Sequence, residues 1–179
     1  VSPTPAAQTI VSGGNARTFT NYQLDASQSG EDVRLSSMKG ELTFNTAGTA
    51  NYLTGCVLKD GGNILNSTAV NPATADLTTT EYTFTFDSPL TVPKGSVKTL
   101  ALVCNVSTSA VSPNTFSWGV INTAANIVPT GVVSGTTIVE TVTASVGQTM
   151  SIGNGTIVVA KDSSSPIYAI AAGGTTGQV

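Results

Sequence analysis

The chain contains no histidine. That absence removes the Ser-His-Asp and Cys-His catalytic arrangements, because each uses an imidazole as its proton carrier. It also leaves a zinc site short of ligands, since only two cysteines are present. Charge is scarce: 9% of residues are Asp, Glu, Lys or Arg, against about a quarter in ordinary soluble domains. With a net charge of −3 and seven scattered Lys and Arg, no basic stripe exists, and nucleic acid is not an expected partner. No run approaches the roughly 18 apolar residues that span a bilayer, so membrane insertion is not expected either. A basic, then apolar, then small-residue leader is missing from the start, as is the long apolar amino-terminal helix of type IV pilins, and the chain reads as a processed or excised piece.

What is present is a hydrophobic fraction of 40% set among Thr, Ser, Gly and Ala. Disordered chains combine low hydrophobicity with high net charge, so this one is expected to fold. Its hydroxyl-rich composition suits a secreted β protein. Tyr82, Phe84 and Phe86 alternate with Thr83 and Thr85, which gives one aromatic and one hydroxylic face on a pleated strand. Leu100, Leu102, Cys104 and Val106 alternate likewise; Met38, Leu42 and Phe44 share a parity, and Phe116, Trp118 and Val120 form another row. Further strands are expected over 18–26, 51–59, 137–144 and 156–161, with turns at "DGGN" 60–63 and "VPKGS" 92–96. No stretch carries a helical stripe. The predicted fold is all-β, an immunoglobulin-like antiparallel β-sandwich with an additional C-terminal β segment. Its expected organisation is a linker over 1–7, the sandwich over 8–125, further strands completing or extending it over 126–165, and a distinct segment over 166–179.

Cys56 shares the parity of Leu58, and Cys104 that of Leu100 and Leu102, so both can face a core. In a secreted chain a Cys56–Cys104 disulfide is the natural reading. Two buried free thiols are the alternative.

Catalytic motifs are weak. "SSMK" at 36–39 and "SPN" at 112–114 match two elements of penicillin-binding enzymes, but "KGS" at 94–96 stands in the wrong order. The serine and lysine must also sit one helical turn apart, whereas 33–44 reads as a strand, where positions three apart face oppositely. No enzymatic activity, catalytic residue or cofactor is expected. "GEDV" at 30–33 is the only adjacent acidic pair; it reads as a solvated turn, with Ca²⁺ held by Asp25, Glu31 and Asp32 as the alternative. Asn66, Asn105 and Asn154 stand in N-x-S/T sequons and are candidate glycosylation sites, Asn105 being expected to point outward from a strand.

Aligning 10–19, "IVSGGNARTF", on 170–179, "IAAGGTTGQV", pairs Ile10 with Ile170, Gly13 with Gly173, Gly14 with Gly174 and Phe19 with Val179. Pro3 and Pro5 precede the first copy and Pro166 the second. The chain thus reads as one repeat plus the opening strand of another, with two unrelated Gly-Gly turns as the alternative. Segments such as "QTIVSGGNARTFTNYQLDASQSGEDVRLSSMKGELTF", "YLTGCVLKDGGNIL", "YTFTFDSPLTVPKGSVKTLALVCNVST" and "GTIVVAKDSSSPIYAIAAGG" resemble a long repeat of large, secreted, S-layer-like surface proteins of candidate-phyla bacteria (Patescibacteria), built of immunoglobulin-like β domains. The resemblance implies an extracellular coat or fibre and no catalytic residues. The expected function is a structural subunit on the cell surface that assembles with copies of itself. Tyr168, Ile170, Gly173 and Gly174 would form the assembly strand, either as the start of a second repeat or donated to a neighbour. The rival is an adhesive or glycan-binding module using Trp118, Tyr22, Tyr52 or Tyr168 as a stacking platform. Parity speaks against it, because Trp118 is in line with Phe116 and Val120.

Overall fold

A computed structural model describes residues 1–46, 49–74, 79–121, 127–153, 155 and 157–164. The strands are β1 Gln8–Val11, β2 Arg17–Asp25, β3 Val33–Phe44, β4 Leu53–Asp60, β5 Asn63–Ile64, β6 Thr79–Val92, β7 Val97–Val106, β8 Thr115–Gly119, β9 Thr130–Gly131 and β10 Met150–Gly153. One turn of 3₁₀ helix at Ala50–Tyr52 leads into β4. The larger sheet runs β1-β10-β8-β3-β6, with β9 also on β3; the smaller runs β2-β7-β4-β5. The pairs are antiparallel except β1 with β10. Along β2, β3, β4, β6, β7 and β8 the sheets mostly alternate, β5 remaining beside β4, so successive strands largely face each other across the core. The all-β sandwich expected from the sequence is the fold.

Alternating residues supply that core. From the larger sheet Leu42, Phe84, Phe116, Trp118 and Met150 are buried; Phe19, Leu58, Leu100 and Leu102 meet them from the smaller. Tyr22 crosses between the layers, its hydroxyl donating to the Gly119 carbonyl at 3.2 Å. Gly40 provides the space: a Cβ there would stand 2.8 Å from the Tyr22 hydroxyl and 3.3 Å from the Phe84 ring.

Cys56 and Cys104 are bridged, and both are fully buried. The bridge joins β4 to its neighbour β7 within one sheet, unlike antibody domains, whose bridge crosses between sheets. A β-bulge makes the pairing fit: the register slips between Thr54 and Val57, with Gly55 at φ +60°. One extra residue re-phases the strand, so Leu53 and Cys56 both point inward despite opposite parity.

Two expected strands do not form. Residues 137–144 make only an isolated bridge, Thr130 to Thr137. Ile138, Glu140 and Val142 turn toward the sandwich half-buried, but the inward row carries a charge, and Glu140 accepts the Ile127 N–H at 2.9 Å. The described part of 156–161 has no ladder either. Ile157, Val158 and Val159 lie in the open, 88% or more exposed. Strands β9 and β10, by contrast, fall within 126–165 and both join the larger sheet.

Candidate functional site

Two features could carry function: a cleft between the sheets, and the β1 strand with the turn that follows it. The cleft, 740 Å3 in volume, opens between β2 and β3; Tyr22, Leu24, Leu35, Met38, Val120 and Ile127 are among its lining residues. Carboxylates at its rim serve their own loops. Asp25 accepts the Ser27 N–H at 2.8 Å, and hydrogen bonds from Ser27 hold its carboxyl below the usual range. Glu140 is engaged as described above. The cleft therefore sets apolar residues such as Leu35 and Met38 beside polar ones such as Gln23, Gln28, Lys39 and Thr141.

The acidic pair at 31–32 is a clasp. Glu31 accepts the N–H groups of Val133 and Ser134 at 2.7 and 2.9 Å, and hydrogen bonds from Ser134 and Val133 depress its pKa. Asp32 accepts the Lys94 N–H at 2.9 Å. Asp25, Glu31 and Asp32 thus face three separate sets of backbone donors, and among the described residues no group of three or more acidic, Cys or His side chains gathers to hold a metal. Neither proton-donating loop could have been assigned from sequence, because both lie far along the chain.

Ser36 and Lys39 lie on strand β3, so the one-helical-turn spacing of a serine–lysine pair is not met. Trp118 and Tyr22 are buried and Tyr52 is half-buried. Trp118 is packed by Tyr82 at 5.5 Å and by Phe84 at 5.8 Å between centroids. Among the described residues Tyr82, like Tyr52, is half-buried, and the other aromatic side chains are buried; Tyr168 lies outside the described residues.

Among the sequons, Asn66 is fully buried. Its Oδ1 accepts the Leu58 N–H at 2.7 Å and its Nδ2 donates to the Thr68 carbonyl, so it pins the loop after β5 to β4 with no face open for a glycan. Asn105 is half-buried and accepts the Ala16 N–H at 2.8 Å. Asn154 lies outside the described residues, as do Ile170, Gly173 and Gly174.

The β1 strand lies at the edge of the larger sheet, with Gln8, Thr9, Ile10 and Val11 opposite Met150, Ser151, Ile152 and Gly153 of β10. Ile10 alone is buried; Gln8, Thr9 and Val11 are exposed. The turn then locks onto β7. Gly13 donates to the Ser107 carbonyl, and the Val106 N–H donates to the Gly14 carbonyl at 2.8 Å. Gly13 takes φ +76°, which a side chain would strain, and a Cβ on Gly14 would come within 3.0 Å of the Val11 carbonyl.

The fold defines the chain as an all-β sandwich protein with one intra-sheet disulfide. No family model, curated protein or solved structure matches it. Among the described residues no helix is long and apolar enough to cross a membrane.

Proposed function

We propose that this protein is a non-catalytic structural unit of an extracellular surface layer or filament. It works by packing or exchanging strands with copies of itself. The observation that carries this reading is the likeness of 168–174 to the β1 strand and its turn, with Ile10, Gly13 and Gly14 matched by Ile170, Gly173 and Gly174. A strand needs a sheet, because unpaired backbone N–H and C=O groups are costly once buried. Contacts made head to tail in this way generate open assemblies instead of closed rings. Supporting features are the buried disulfide, compatible with an oxidising compartment, and a surface of low charge on which subunits can approach closely. The likeness to immunoglobulin-like repeats of secreted S-layer-like proteins belongs to the same proposal.

Electron microscopy of the intact chain and of a chain lacking 166–179 tests it. Ordered filaments or sheets that vanish on truncation are expected. Monodisperse particles in both samples would reject self-assembly through this segment.

A further inference from the structure

The two copies of the strand-and-turn sequence agree where the fold is demanding and differ where it is not. Ile10, the one buried side chain of β1, corresponds to Ile170. Gly13, at positive φ, corresponds to Gly173, and Gly14, where a Cβ would stand 3.0 Å from the Val11 carbonyl, to Gly174. The exposed Gln8, Thr9 and Val11 become Tyr168, Ala169 and Ala171. The Thr9 change also suits the site: Thr9 presses its methyl on the place where Gly153 lacks a side chain, and alanine is smaller. Past Gly14 the correspondence ends, since Ala16 sits at φ 50° where the β-branched Thr176 would be strained.

Building on the assembly reading, we propose that residues 168–174 are a second β1, shaped for the slot beside β10 in another copy of this chain. There they would lie parallel to Met150–Gly153, with Ile170 in the place of Ile10 and Gly173–Gly174 turning onto β7. The described connector does not pack against its own sheet. Residues 157–164 are exposed throughout, and the hydrogen bonds of that stretch are local, from Ser164 to Asp162. A connector laid back over its own sheet would bury some of Ile157, Val158 and Val159; this one buries none of them. The incoming strand would have to displace the acceptor's own β1, whose backbone pairs with β10 and whose turn bonds Ser107 and Val106; it offers in return the same single buried isoleucine and the same Gly-Gly turn.

Register makes this testable in the full chain. Thr9 stands opposite Ser151, so in the proposed complex residue 169 of one copy stands opposite residue 151 of the other. Chains carrying Ser151→Cys and Ala169→Cys, distinguishable by mass, are mixed under a mild thiol–disulfide buffer. The native cysteines are bridged and buried, so they stay out of the exchange. The expected result is a 151–169 linked heterodimer, lost when the Ala169→Cys chain also carries Ile170→Asp or Gly173→Val. Both of those changes lie outside the acceptor's sandwich, so loss of the link would not reflect unfolding of the acceptor. Absence of the heterodimer overturns the slot, and so does an intrachain 151–169 link in a chain bearing both cysteines. If filaments still form in either case, the slot fails while the assembly reading stands.

Discussion

At the scale of single residues, Gly40, Tyr22 and Trp118 meet closely at one point within the core. Tyr22 is held by its hydrogen bond to Gly119, so it has little freedom to yield to a new methyl group. Gly40→Ala is therefore expected to cost about 1–3 kcal/mol, as overpacked cores do, measured by urea denaturation. Glu41 is a second such point. It is buried and stands directly opposite Glu81 across β3 and β6; burial first, and the Glu81 charge second, push its carboxyl pKa up. The folded state thus holds this proton more tightly than the unfolded one. The penalty is fully present above the raised folded pKa and is relieved as pH falls through it toward the ordinary glutamate value. Glu41→Gln should raise stability at neutral pH by roughly 0.2–1 kcal/mol, the scale of like charges placed opposite in a sheet. Its advantage over the parent should shrink as the pH is lowered, which paired urea midpoints would check; an advantage constant with pH would rule out the charge as its cause.

At the scale of elements, long-range clasps hold the loops to the sandwich. Glu31 anchors the turn at 131–136 through two backbone N–H groups, and its depressed pKa means that the clasp is complete above the ordinary glutamate range and lost as pH falls through the lowered value. The amide proton resonances of Val133 and Ser134 should titrate with Glu31 in that acid range. They should lose that titration in Glu31→Gln. Strand β4 depends on its covalent tie to β7, which spans a sequence separation of 48. Replacing both cysteines by alanine is expected to cost roughly 2–5 kcal/mol, read from the shift in denaturation midpoint. Because Gly55 sets the bulge that aims Cys56 inward, Gly55→Val is expected to slow formation of the bridge during oxidative refolding, followed by thiol trapping.

At the scale of the whole molecule, the surface matters more than the core. Only seven Lys and Arg and ten Asp and Glu are spread over 179 residues, so in the proposed assembly contacts between copies would rest on few ion pairs. Screening by salt weakens exposed charge interactions and leaves apolar and backbone contacts intact. Sedimentable assembly is therefore expected to persist, or increase, as ionic strength is raised. A steep loss with salt would assign the contacts to charge and count against strand exchange.

Sequence alone determined the properties that depend on near neighbours. The inward rows of β6, β7 and β8 follow from side chains alternating about a pleated backbone, and the parity of Cys56 and Cys104 with their neighbours made the bridge legible. Tertiary structure decided what depends on residues distant in the chain. The sequence cannot show that an extra residue at Gly55 lets Leu53 join the same inward face as Cys56, nor that Asn66 is consumed inside the fold. Residues 137–144 alternate in sequence, yet a ladder needs a partner strand alongside, and that is not a local property. Glu31 and Asp32 looked like a solvated turn because their partners lie at 133–134 and at 94. The likeness of the two Gly-Gly segments could be seen in the letters. Which positions of the first are buried or confined to positive φ was decided by the strand beside it, because burial and backbone strain exist only once the sheet has formed.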